Sequence, residues 1–317
     1  MEIANNGDVE TLLYDNKVKL KFVNSTHRYY VHILDQSGAW QKNTFPSGVT
    51  SILKTLYDQS DLLEWYSSMA SGDIVKYLAP EQADKEWLDK AFMALYMGKT
   101  PEYNPKMITI TQSLTNLVKL YEVGKNAPLN RSKYGKDVGT QTHEAVDRYH
   151  KTGEAFIDKT GIELNDTAAQ KSLDMYVKWF EQSGLEVVAS EVTVYSIKHN
   201  YAGTLDRIYK RPDGQLVMGD FKTSNLSRKA PMGIQTQYWS QLGAYMVAYR
   251  EEHNVTFADA VIVNSPKKGT IKIGYASDMG LTPLQLEKTW LDDLQAMKNH
   301  KQIIKAQQTL KSRATEI

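Results

Sequence analysis

The sequence predicts an α/β protein in which one mixed β-sheet is flanked by helices, with a mostly helical N-terminal region packed against it. Three features lead there. Period-two patterning over Glu186 to Ile197, Ala202 to Lys210 and Leu216 to Lys222 marks three strands in succession. Helical patterning brackets them, at about Thr140 to His150, Thr167 to Gln182 (ending at Gly184) and Ile234 to His253. Two further strands, Ala258 to Asn264 and Thr270 to Tyr275, precede an amphipathic helix that opens at Thr282-Pro283.

The N-terminal part reads differently. Val18 to Val23 and Arg28 to Leu34 form a hairpin about Asn24-Ser25-Thr26, and Phe45 to Leu53 reads as a loop running into a helix. Helical patterning then dominates to about residue 124, broken at Lys99-Thr100-Pro101 and Asn104-Pro105. The Gly-, Asn- and Pro-bearing stretch from Gly124 to Gly139 separates the two parts, which gives residues 1–125 as a hairpin plus helical region and 126–317 as the α/β core. No internal repeat or low-complexity segment interrupts this plan.

The bulk properties set limits. A chain of 317 residues, 41% of them hydrophobic, suits one large core or two modest ones. Lys plus Arg (38) nearly equal Asp plus Glu (37), so any nucleic-acid contact has to come from local patches. Candidates are Arg228 with Lys229, Lys267 with Lys268, and the run of Lys298, Lys301, Lys305, Lys311 and Arg313. The absence of cysteine excludes disulfides and thiolate metal sites. The polar start, Met1 to Asn6, is not a secretory signal and no apolar run reaches membrane length, so a cytoplasmic location with no membrane partner is expected.

The chemistry concentrates in Gly203-Thr204-Leu205-Asp206 and Gly219-Asp220-Phe221-Lys222, on either side of Pro212-Asp213-Gly214. Strand alternation places Thr204, Asp206 and Ile208 on one face, and Leu216, Met218, Asp220 and Lys222 likewise. A three-residue loop pairs Arg211 with Gln215 and sets Asp206 opposite Asp220, where two carboxylates repel unless a cation intervenes. A two-residue Asp213-Gly214 loop instead sets Asp206 opposite Phe221 and sends the carboxylates to opposite faces. With the first register, two carboxylates and Lys222 form a candidate divalent-metal site.

Other residues join in order along the chain. His143 lies on a predicted helix, but Asp147 stands four residues later where a second His would complete a zinc-protease motif, so that reading fails. Glu191 is a further acid on the strand leading to the hairpin. Gln241 and Tyr245, four apart on a helix, share a face.

Taken together, His143, Glu191, Gly203-x-x-Asp206, Asp220-x-Lys222-Thr223-Ser224 and Gln241-x-x-x-Tyr245 resemble the PD-(D/E)xK nuclease superfamily, and within it the RecB-like branch. The likeness covers about residues 135–265. Phe45 to Leu53 is also similar to the Pro-Ser-Val-Thr segment of phage and mitochondrial genome-maintenance exonucleases, although Gly48 is inserted here. Asp220 fills a slot that is Glu in many members.

The resemblance implies a restriction-endonuclease-like core and a DNA exonuclease dependent on Mg²⁺ or Mn²⁺, of viral or recombination and repair type. A structure-specific endonuclease and a non-catalytic nucleic-acid-binding subunit are the alternatives. It implies metal ligation by His143, Asp206, Asp220 and the Phe221 backbone carbonyl, and catalytic roles for Lys222, Gln241 and Tyr245. Glu191, Thr223 and Ser224 are implied as substrate contacts. DNA, single-stranded or bearing duplex ends, is the implied partner, together with a single-strand annealing or replication and recombination protein, and the host cytoplasm is the expected place if the chain is viral. Tyr29, Tyr30, Trp40, Trp65 and Tyr66 are candidates for stacking on unpaired bases, although aromatic residues more often fill cores.

Overall fold

The computed structural model describes residues 2–3, 8–42, 45–57, 90, 114–157, 167–224, 234–267 and 269–314. The chain divides into two compact units, residues 1–57 with 138–317 and residues 58–137. The N-terminal strands therefore belong to the same unit as the α/β core. The helical patterning expected over residues 58–113, with Trp65 and Tyr66, lies outside the described residues, as do Arg228, Lys229 and Lys268.

The expected N-terminal hairpin is the centre of a larger, five-stranded antiparallel sheet. Its strands follow chain order: β1 (Glu2–Ile3), β2 (Val9–Leu13), β3 (Val18–Val23), β4 (Arg28–Leu34) and β5 (Trp40–Lys42). Val18, Leu20 and Val31 are buried on its inner face against Tyr195 and Ala202.

The second sheet is mixed and has six strands. These are β6 (Ser47–Gly48), β7 (Glu186–Ser196), β8 (Tyr201–Lys210), β9 (Leu216–Lys222), β10 (Asp259–Asn264) and β11 (Lys272–Tyr275). Its order is β11-β10-β9-β8-β6, with β7 along the other edge of β8. β9 and β10 run parallel and the remaining long pairs are antiparallel. The helices are α1 (Val49–Leu56), α2 (Leu114–Thr152), α3 (Thr167–Ser183), α4 (Thr236–His253) and α5 (Pro283–Ala314). Thr282 and Gln285 bond each other's main-chain N–H ahead of Pro283, a capping box that starts α5 where the sequence placed it.

Both faces of the mixed sheet are covered. On one, Leu205, Ile208, Met218 and Ile262 pack with Leu242 and Met246 of α4 and Trp290 of α5. On the other, Tyr209, Val217, Phe221, Val261 and Val263 pack with Val138 and Val146 of α2 and Leu173 and Tyr176 of α3. The mixed α/β architecture expected from the patterning is the one observed. No helix among the described residues is long and apolar enough to cross a membrane.

Two local readings are corrected. The stretch Gly124 to Gly139, read as a separator, is helical and lies within α2. A Cβ on Gly139 would stand 3.2 Å from Thr223 Oγ1, so this glycine serves the close approach of α2 to the end of β9. Secondly, Thr204, Asp206 and Ile208 do not share one regular face. Leu205 and Ile208, three residues apart, both enter the cluster beneath α4, which a period of two forbids. β8 is therefore kinked at Asp206–Arg207. Across from the kink Glu191 has φ +50°, a left-handed residue inside the continuous strand β7, whose register with β8 shifts between Val187 and Ala189.

Candidate active site

The hairpin settles the register. The Gly214 N–H donates to Arg211 O and the Arg211 N–H to Gln215 O, both at 2.9 Å, and Gly214 has φ +84°. This is the three-residue loop, a type I turn closed by a left-handed glycine. β8 and β9 then pair from Lys210–Leu216 to Arg207–Gly219. One more step of that register brings Asp206 across from Asp220, but the ladder stops there. The Phe221 N–H donates instead to Asp206 Oδ2 at 2.8 Å.

The stop has a structural origin. Along one edge β8 pairs with β7 throughout. Along the other it pairs with β9 only over Arg207–Lys210, and with β6 only over Tyr201–Ala202. Gly203 to Asp206 lie in the gap between β6 and β9. Tyr245 of α4 faces this gap, and a Cβ on Gly203 would stand 2.7 Å from its Cε1 and 3.2 Å from Val49 Cγ2. Glycine is required at 203 because the Tyr245 ring occupies the space of a side chain. Gln241 donates to the Tyr245 hydroxyl at 2.8 Å, so these two residues hold each other.

Lys222 Nζ lies 2.7 Å from both oxygens of Asp220, in hydrogen-bond geometry with Oδ1. Its ammonium also sits 5.0 Å from the centre of the Tyr238 ring. Asp220 is buried, and its Oδ2 receives no hydrogen bond. Burial raises the Asp220 carboxyl to about 7, against the attraction of Lys222 and with the help of the Asp206 charge. Lys222 is held above its ordinary value, because the pull of Asp220 and Asp206 outweighs the cost of its burial. Burial, with smaller contributions from both carboxylates, drives the Tyr245 hydroxyl well above the usual phenol range, so it stays protonated.

Helix α2 brings His143 to the same place. Its Nδ1 is 4.0 Å from both Asp206 Oδ2 and Glu191 Oε1, and its ring packs on Phe221 with centroids 4.9 Å apart. Ligand atoms of His143, Glu191 and Asp206 lie within 4.8 Å of one another, a set able to hold a metal ion. Glu191, expected only at the substrate, thus joins this cluster. Asp220 stands beside it in the grip of Lys222. A buried carboxylate whose counter-charge is Lys222, next to a His-Glu-Asp cluster, fits a divalent cation in the chemistry of its donors.

Thr223 is buried where β9 meets α2, and its carbonyl accepts from Lys267 Nζ at 2.9 Å. Ser224 follows at the strand end, half-buried.

Two residues were missed. Arg207 is fully buried on the α2 and α3 side, where its Nη1 donates to Asp206 O at 2.6 Å and to Glu191 Oε1 at 3.4 Å, with Asp147 4.0 Å from Nη2. A guanidinium thus links the Glu191 carboxylate to the main chain of Asp206 from beneath. The available signal was a second charged residue directly after Asp206, within a strand whose other nearby residues, Leu205, Ile208 and Tyr209, are buried. Tyr238 was also legible, three residues before Gln241 and hence on its helix face.

Strands that part at two acids and a lysine, on a mixed sheet covered by helices, form a site suited to metal-assisted chemistry on a phosphate ester. The profile of the PD-(D/E)XK nuclease superfamily matches residues 116–317, more than half of the sequence, and the chain belongs to that superfamily. The superfamily generally uses divalent metals to hydrolyse phosphodiester bonds. Among proteins of curated function none matches significantly.

Proposed function

We propose that the chain is a DNA exonuclease of the RecB-like kind that uses Mg²⁺ or Mn²⁺ and attacks phosphodiester bonds from DNA ends. One observation carries the reading: the Asp220–Lys222 pair stands beside the His143–Glu191–Asp206 cluster at the parting of β6 and β9. His143, Asp206 and Asp220 would hold the ion, with Glu191 as a fourth donor on this geometry and the Phe221 carbonyl as the superfamily resemblance implies. A divalent ion in that set supplies a water of lowered pKa and neutralises a phosphate oxygen.

The chain's own groups do the rest. The Phe221 N–H and the Arg207 guanidinium fix Asp206, through its carboxylate and its carbonyl respectively. The Phe221 ring fixes the plane of His143. Lys222 presents an ammonium that orients the attacking water and offsets charge building on the phosphate oxygens. Its pairing with Asp220 and the nearby Asp206 keeps it protonated. Gln241 and Tyr245 form the wall of the gap and shut water out of the α4 side.

Digestion of end-labelled linear DNA and of sealed circular DNA, each with Mg²⁺, Mn²⁺ or excess chelator, tests the reading. The expected result is loss of label from linear substrates with either ion, an intact circle, and no turnover in chelator. Cutting of the sealed circle would replace the exonuclease with an endonuclease on the same core.

A further inference from the structure

We propose that the outer face of the N-terminal five-stranded sheet is a binding platform for single-stranded nucleic acid that feeds the gap holding Asp206. The inference rests on the nuclease reading for its purpose, but on separate residues for its argument.

The two faces of this sheet differ in kind. Inside lie Val18, Leu20 and Val31, all buried. Outside, the cross-strand register aligns Leu12, Lys19, His32 and Lys42 in one row, Glu2, Glu10, Lys21 and Tyr30 in the next, and Leu34 with Trp40 at the far edge. Trp40 is 39% exposed and Phe45, three residues past the end of β5, is 56% exposed. Leaving two large aromatic rings in water is unfavourable without an occupant. Each ring carries a cation over its face, Lys19 at 5.0 Å from Trp40 and Lys42 at 5.0 Å from Phe45, and Tyr30 meets Phe45 edge-on at 5.0 Å.

The charge balance selects the occupant. Lys19, Lys21, Arg28 and Lys42 share this side with Glu2 and Glu10 by register, Glu10 pairing with Lys19 at 3.3 Å, while Asp8 pairs with Lys21 at 3.3 Å. Among the described residues Arg28 and Lys42 have no carboxylate partner. Alternating cations and exposed rings on an open sheet suit a polyanion with free π-faces, namely unpaired bases on a phosphate backbone. A protein partner or a second copy of the chain would have to desolvate these cations, which a phosphate backbone neutralises instead.

The platform also leads somewhere. Phe45 and Pro46 run directly into β6, whose Ser47 pairs with Tyr201, five residues along β8 from Asp206. At about 3.3 Å per residue that is roughly 16 Å of strand. Lys301 of α5 reaches Ser47 Oγ at 3.5 Å and places another cation beside this path.

The test is a binding titration of a fluorescent single-stranded oligonucleotide in excess EDTA, where no cleavage can contribute. Trp40→Ala with Phe45→Ala is expected to weaken binding at least tenfold, from about 1–3 kcal/mol per stacked base, while duplex binding changes little. Replacing Lys19, Lys21 and Lys42 by Gln is expected to lower the slope of log K against log salt by about 2. Both rings are exposed, so the melting temperature is expected to stay at the wild-type value and to certify folding. Unchanged single-strand affinity in the aromatic variant overturns the platform even if the wild type cleaves DNA. Conversely, a wild type that binds through these rings yet never cleaves leaves the platform standing and removes the nuclease reading. Should the aromatic variant turn a sedimenting dimer into a monomer without affecting oligonucleotide binding, the face is an interface between copies and the proposal is wrong.

Discussion

The amide of Phe221 donates to the carboxylate of Asp206 at 2.8 Å where the β8–β9 ladder ends. A main-chain donor is thus spent on a side chain, and the strands part at that point. The bond fixes one acid rigidly while Asp220, the next partner in register, turns to Lys222. Two carboxylates that would repel as cross-strand neighbours are thereby separated into two tasks.

Asp220 contributes a pH dependence to the stability of the metal-free protein. Its carboxyl is raised from 3.8 to about 7 by burial, so the folded state holds a proton that the unfolded state releases over that interval. Stability from this group is complete below about pH 4 and is lost as pH rises toward 7. Asp220→Asn is expected to flatten that dependence, to raise the melting temperature in EDTA at pH 8 by about 3 °C or more, and to abolish nuclease activity. Melting curves at several pH values, with and without Mg²⁺, check this. A variant that melts lower than wild type at pH 8 in EDTA contradicts it.

Lys222→Ala is expected to lower turnover at saturating DNA by about 10² to 10³ while metal and DNA binding persist. An ammonium 2.7 Å from Asp220 acts on charge that develops only as the phosphate is attacked. Calorimetric Mn²⁺ binding and single-turnover rates separate the two effects. Weakened DNA binding with intact turnover would make Lys222 a phosphate contact instead.

At Gly203 the requirement is steric, since a methyl there meets the Tyr245 ring at 2.7 Å. Gly203→Ala is expected to cost about 1–3 kcal/mol of stability and to reduce activity by displacing Tyr245. Adding Tyr245→Leu should return part of the stability, because the two changes share one space. Denaturant midpoints of the single and double variants measure this coupling, and strictly additive losses would separate the two residues.

The same gap shows which parts of the site were legible in the sequence. Strand and helix positions followed from periodicity, and Pro212-Asp213-Gly214 narrowed the hairpin to two registers, of which that of the three-residue loop is observed. The kink at Asp206–Arg207 was not legible, since neither it nor the left-handed Glu191 across from it follows from period-two patterning. Nor was the five-stranded extent of the N-terminal sheet, whose flanking strands are short and weakly patterned. Gly124 to Gly139 misled because its glycines and proline are local helix-breaking signals, whereas Val138, Ala145 and Val146 of the same helix are held by tertiary burial. Glu191 and Arg207 gained roles only once β7 and α2 were placed against β8.

His143 tests the union of helix and sheet most directly. Its imidazole lies 4.0 Å from Asp206 and from Glu191, and Phe221 holds its ring in place, although the helix bearing it is some sixty residues upstream. An imidazole softens an otherwise all-oxygen donor set, so losing it should weaken binding of Mn²⁺ more than of Mg²⁺. His143→Ala is therefore expected to shift ion preference toward Mg²⁺ and to leave residual activity, because the carboxylates and Lys222 remain. Isothermal titration of each ion into wild type and variant reads the preference without any turnover. An unchanged ratio of the two affinities would make His143 a packing partner of Phe221, leaving the ion to the carboxylates alone.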